Sequence, residues 1–101
     1  MTELTVTAIF QIKEGKLDEF MAFIRDPKEG IAKTRAFPGY KDIKFYQDKE
    51  DKNKLILWQR WENEKAQAEY LKMRKETGLF DILGPLMAQP PQIIKQNAMD
   101  V

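Results

Sequence analysis

Six side chains in this sequence have the chemistry to hold and activate a small organic molecule: Tyr70, Arg60, Trp58, Trp61, Thr7 and Phe80. A phenol such as Tyr70 can hydrogen-bond a phenolic or carbonyl oxygen. A fixed guanidinium such as Arg60 can stabilise an enolate or phenolate as it forms. The two indoles offer flat walls to a planar ligand. Thr7 adds a strand hydroxyl, and Phe80 sits in an apolar run. The residue types that are missing narrow the chemistry further. The chain has no cysteine and no histidine. It can form no internal disulfide, so its fold must rest on its core. It can build no Cys- or His-based zinc, iron–sulfur or His-ligated haem site. Ser-His-Asp and Cys-His nucleophile systems are absent, as is a histidine general base. Acid–base work falls to carboxylates, lysines, tyrosines or the substrate itself. No metal site is expected in this chain.

Each candidate also has an ordinary structural role. Tyr70 lies mid-helix between Ala66 and Met73, so it should face a sheet, as buried tyrosines commonly do. Trp58 and Trp61 are three positions apart on a strand and must point to opposite faces. Arg60 shares the parity of Trp58 and could sit in a pocket or form a rim ion pair. Thr5, Thr7 and Gln11 form a polar stripe that could line a pocket or hydrogen-bond across a seam between subunits. Leu79, Phe80, Ile82, Leu83, Leu86 and Met87 are either core or a lid over a cavity.

The elements that must position these residues follow from periodicity. Leu4, Val6, Ala8, Phe10 and Ile12 alternate along a strand. Leu17, Phe20, Met21 and Ile24 repeat at helical spacing. Asp26-Pro27-Lys28-Glu29 reads as the start of a second helical piece, so pieces at about 16–25 and 27–36 are expected, with a bend between them. Residues 40–47 and 55–61 read as strands joined by a charged tip at 48–53, expected in solvent. Asn63 is a good N-cap for a helix at about 64–76. Arg74 and Lys75 fall at its negative end, as the helix dipole favours. Its apolar stripe is thin. A short helix at 79–83 stops at Gly84-Pro85, and a last strand starts at Gln92.

The order β-α-β-β-α-β predicts an α+β, ferredoxin-like domain over 1–101. It has a four-stranded antiparallel sheet with both helices on one face. A chain of 101 residues buries roughly 65% of its unfolded surface, enough for a core without staples. With 17 basic and 16 acidic residues, nothing in the charge argues for nucleic acid. No apolar stretch approaches the ~18 residues that span a bilayer. The first residues lack a basic leader, so a cytoplasmic location is expected. Either parity of 55–61 leaves large apolar groups on the uncovered sheet face. That implies a homodimer through the open sheet face, around a two-fold axis.

The layout of motifs resembles a known family. A strand leads to Glu14-Gly15-Lys16 and a helix with Glu19-Phe20. Thr34-Arg35, Pro38-Gly39 and a strand ending in an acidic turn follow, and Trp61-Glu62-Asn63-Glu64-Lys65-Ala66 opens a helix. This order is similar to that of the antibiotic biosynthesis monooxygenase family of dimeric α/β barrels, over nearly the whole chain. The resemblance implies a ferredoxin-like fold, sheet-to-sheet dimers and cofactor-free oxygenation of quinols or polyketide anthrones. The family also includes haem-degrading enzymes. This sequence departs from the family at four points. Tyr70 stands where a histidine is common, Gln59 where an acid is common and Ala8 where the haem-degrading branch has asparagine, and no histidine follows to match that branch's axial haem ligand. The haem-degrading reading is disfavoured accordingly.

Two functions are expected from this. One is a cofactor-independent monooxygenase of a small aromatic or quinol-type substrate, with Tyr70 and Arg60 catalytic and Trp61, Trp58, Thr7 and Phe80 lining the pocket. The alternative is a non-catalytic homodimer that binds a small apolar ligand, or an orphan member of the same fold.

Overall fold

The computed structural model of the chain describes residues 2–101; Met1, at the head of the segment read for a leader, lies outside them. Four strands, β1 (Leu4–Gln11), β2 (Tyr40–Gln47), β3 (Lys54–Trp61) and β4 (Gln92–Gln96), form one antiparallel sheet in the order β2-β3-β1-β4. The helices α1 (Leu17–Ile24), α2 (Ile31–Arg35), α3 (Glu64–Glu76) and α4 (Leu79–Leu83) connect them. A single 3-10 turn, Gly84–Leu86, follows α4.

Register decides which side chains face the helices. Ala8 stands opposite Leu57 on β3 and Ile93 on β4, while Phe45 on β2 also pairs with Leu57. On β1 the buried positions are Leu4, Val6, Ala8 and Phe10, alternating with half-buried ones. On β3 they are Leu55, Gln59 and Trp61. Ile56, Trp58 and Arg60 therefore point to the other face, which no helix among the described residues covers. The four-residue apolar run of β3 is thus split between core and open face.

The first crossover is shorter than its pattern predicts. The Asp26 carboxylate accepts N–H bonds from Lys28 at 2.9 Å and Glu29 at 2.8 Å, as an N-cap would. The cap closes only a turn, because the backbone at Gly30 is non-helical (φ −85°, ψ −142°) and α2 starts at Ile31. Gly30 packs against the end of α1. A Cβ there would collide with the carbonyl oxygens of Phe23 and Ile24. The helix predicted over 27–36 is therefore a capped turn followed by five helical residues.

Gly39, after Pro38, has φ +92°, and a Cβ there would press into Ala66 at the start of α3. Its carbonyl accepts the N–H of Glu62 at 2.7 Å, which ties the turn before β2 to the end of β3. The 48–53 tip is not simply solvated. Gln11 donates to Asp51, Asn53 donates to Glu14 at 2.9 Å, and the Asn53 side chain is buried. No helix among the described residues is long and apolar enough to cross a membrane.

Candidate active site

Helix α3 explains its own thin apolar stripe. Asn63 caps it by accepting the Ala66 N–H at 2.8 Å. Its buried residues are Ala66, Gln67, Tyr70 and Arg74, which lie on one face at helical spacing. Two of the four are strongly polar, and burying such groups unpaired is costly. Arg74 is only 4% exposed, yet it has no carboxylate within ion-pair distance among the described residues.

Its charge is instead spread over neutral oxygens. Arg74 Nη1 donates to the Glu29 carbonyl and Nη2 to the Gly30 carbonyl, both at 2.8 Å. Nη2 also donates to Thr34 Oγ1 at 3.0 Å, and Nε to the Tyr70 hydroxyl at 2.8 Å. The Thr34 and Tyr70 hydroxyls are themselves 2.6 Å apart. The Gly30 carbonyl also accepts the Lys33 N–H at 3.0 Å, so Arg74 shares that oxygen with the start of α2. One buried knot thus joins the α1–α2 turn, α2 and α3.

Beside the knot the aromatic residues cluster. The Tyr70 and Trp61 rings lie 4.7 Å apart, and Phe37 meets Tyr70 edge-on at 5.6 Å. Trp61 is fully buried and its Nε1 donates to Gln59 Oε1 at 2.9 Å. Beside Tyr70, between the helices and the sheet, lies a cavity of about 350 Å³. Its sheet wall includes Val6, Ala8, Phe10, Ile43 and Leu57. Thr34, Gln59, Gln67, Tyr70 and Arg74 give it a polar end. Leu79, Phe80 and Leu83 of α4 close the outer side, and α4 itself has no buried residue. The size falls at the small end of the ~300–1,000 Å³ typical of ligand sites, and the mostly apolar wall with a few convergent polar groups is also typical. Among the described residues, no group of three or more Asp or Glu is placed to hold a metal ion.

The structure divides the residues expected to act together. Tyr70 and Phe80 line this cavity, and Trp61 backs Tyr70. Arg60, Trp58 and Thr7 are on the open face, with the sheet between them and the cavity. Arg60 makes a rim ion pair with Glu3 at 2.9 Å and lies over the Trp58 ring at 5.9 Å. Thr7 donates to Gln96 at 2.7 Å. Thr7 and Trp58 do share a hollow of about 220 Å³ there, with Lys44, Tyr46 and Ile56. Arg60 therefore cannot touch a ligand bound under the helices. The buried cation of that cavity is Arg74. The sequence alone places Arg74 at the negative end of the helix dipole and gives no site role to Gln67 or Thr34. A usable signal was present: Gln67, Tyr70 and Arg74 fall on one face of a helix whose apolar residues were too few to fill it.

Comparison with known proteins agrees with the fold. Residues 4–75 match the family model described as antibiotic biosynthesis monooxygenase. A conserved protein from Methanosarcina mazei Go1 superposes with a TM-score of 0.86 at 22% identity, over 98% of this chain and 95% of that one. A structure named as an antibiotic biosynthesis monooxygenase gives 0.84 at 20% identity, over 96% and 99%. PA3566 from Pseudomonas aeruginosa gives 0.83 at 18% identity, over 99% and 97%. No curated protein matches the chain significantly in sequence.

Proposed function

Because the chain belongs to the antibiotic biosynthesis monooxygenase family, we propose that it is a cofactor-independent monooxygenase of a small aromatic or quinol-type substrate bound in the helix–sheet cavity. One observation carries the reading: an apolar cavity of about 350 Å³ whose polar end holds a phenol, an alcohol and a buried guanidinium. In this chemistry the substrate loses a proton and its anion adds dioxygen at a ring carbon. The resulting hydroperoxide loses water and leaves a carbonyl. One oxygen atom ends in the product and the other in water. The protein's part is to hold the anion in a low-dielectric site with donors aimed at its oxygen. Tyr70 is the proposed contact, Phe80 and the sheet wall bind the ring, and Trp61 fixes the Tyr70 ring from behind.

The test is oxygen consumption with a panel of quinols and anthrones. Wild type should turn over at least one of them, and Tyr70→Phe should lower kcat/KM by about tenfold or more. If both are inactive on every substrate while an aromatic ligand still binds, the chain is a small-ligand-binding protein and the oxygenase reading fails.

A homodimer through the open sheet face belongs to the same proposal. Ile56, Trp58, Tyr46 and Ile94 sit there among threonines and glutamines, and Tyr46 is 54% exposed. Such a surface, apolar with a polar rim, suits a second copy. Light scattering should give a dimer mass at micromolar concentration, and Trp58→Lys should give monomers with the fold intact. A monomeric wild type overturns this part. The proposal also puts the protein in the cytoplasm, and recovery from a membrane or secreted fraction would overturn that.

A further inference from the structure

The hydroxyl pair beside Arg74 has one proton too many for its neighbours. Thr34 Oγ1 and the Tyr70 hydroxyl each accept an N–H from Arg74, and they lie 2.6 Å apart. One of their two protons occupies the bond between them. The other has no acceptor among the described residues, and both side chains line the cavity. Gln67 presents the opposite deficiency. It is 3% exposed, it lines the same cavity, and its Oε1 is buried without a hydrogen-bond partner. It lies three residues before Tyr70 on α3, so both residues reach the same region. Leaving a buried polar atom unpaired costs free energy that a matching ligand group recovers.

We infer that the cavity is built for an aromatic molecule carrying a carbonyl-type acceptor oxygen and a hydroxyl, the hydroxyquinone class, with Gln67 accepting from the hydroxyl and the Thr34–Tyr70 pair donating to the carbonyl. The inference rests on the proposed function only for the location of the site. Arg74 is a positioning residue in this arrangement. Four of its five N–H groups are already engaged with the two loop carbonyls and the two hydroxyls. It cannot offer the two-pronged face that a carboxylate ligand takes from arginine. It acts through the hydroxyl pair, whose remaining proton its charge makes a stronger donor. A quinone without a hydroxyl leaves Gln67 stranded, and a hydrocarbon leaves both ends stranded.

The test is calorimetric titration under anaerobic conditions with naphthoquinone and a hydroxynaphthoquinone. Wild type should bind the hydroxylated probe about tenfold tighter or better. Gln67→Leu should bring the two affinities within about twofold of each other, with naphthoquinone itself little changed. The double variant Thr34→Val/Tyr70→Phe should weaken both quinones. Equal affinities in wild type overturn the inference without any variant having to fold, and so does a ratio that survives in Gln67→Leu. The infrared carbonyl stretch of bound naphthoquinone reports the donor directly. It should lie below its value in solvent and move back towards it in Arg74→Lys. An unmoved stretch removes Arg74 from the positioning role. A preserved affinity ratio with no oxygen consumption defeats the oxygenase reading alone. Oxygen consumption with no affinity ratio defeats the hydroxyquinone inference alone.

Discussion

Helices α1 and α3 lie on the same sheet face, one from each β-α-β half, and they press opposite chemistries into it. The α1 half is dry. Phe20 is fully buried against Phe10, with ring centroids 5.8 Å apart, and Ile12, Leu55, Leu86 and Met87 complete an apolar cluster. The α3 half buries Trp61 and Tyr70, but also Gln59, Gln67, Arg74 and, from α2, Thr34. A leucine at 67 or 74 would suit a purely structural helix better, since each buried polar group must find partners or lose free energy. Similar halves of one fold have therefore been put to different uses. The first holds the sheet and the second keeps a polar end open to a cavity.

That contrast can be tested by substitution, beginning with the dry half. Phe20→Ala should cost about 3–5 kcal/mol in urea unfolding, by lost transfer energy and a residual cavity. A loss near 1 kcal/mol would mean the α1 half is not a close-packed core. Arg74→Leu should cost about 3 kcal/mol, because it leaves the Glu29 carbonyl without its donor and takes one donor each from the Gly30 carbonyl and the Thr34 and Tyr70 hydroxyls. If it were neutral, the knot would add nothing to stability. Gln67→Leu has the opposite sign. It removes an unpartnered amide oxygen and should raise stability by about 1 kcal/mol in the ligand-free protein. A clear loss there would mean that the protein itself already satisfies Gln67.

The smallest effect concerns the turn between α1 and α2. Backbone N–H bonds, from Glu29 first and Lys28 second, hold the Asp26 carboxyl below its ordinary value of 3.8. A depressed folded-state pKa stabilises the fold fully above the unfolded value and loses that contribution as pH falls through the folded one. Wild type should melt slightly above Asp26→Ala at neutral pH. The gap should narrow as the pH falls below the ordinary Asp value of 3.8 and the folded-state carboxylate takes up its proton. A gap independent of pH would mean that the carboxylate charge plays no part in that turn.

The strands, the Asn63 cap and the inward position of Tyr70 were legible because local alternation and capping chemistry specify them. The opposite placement of Trp58 and Trp61 followed from strand parity alone. Which of the two faced the helices did not, because both parities of β3 carry large apolar groups. Arg74 was hidden for a different reason. Its burial depends on carbonyls at Glu29 and Gly30, more than forty residues away in sequence, and helical periodicity counts apolar positions only. The same loop shortened α2. The Asp26 signal was read correctly as a cap, but the close approach of Gly30 to α1 turned what followed into a turn.

The division of tryptophans across β3 has an optical consequence. Trp61 is sealed against Tyr70, which lines the cavity, whereas Trp58 lies half-buried on the open face, under Lys44 and Arg60. A sealed indole emits at shorter wavelength than one in contact with solvent. The single chain thus has two native fluorophores with separable spectra. Quenching on the blue side would follow events in the cavity, and a shift on the red side would follow covering of the sheet, with no label attached.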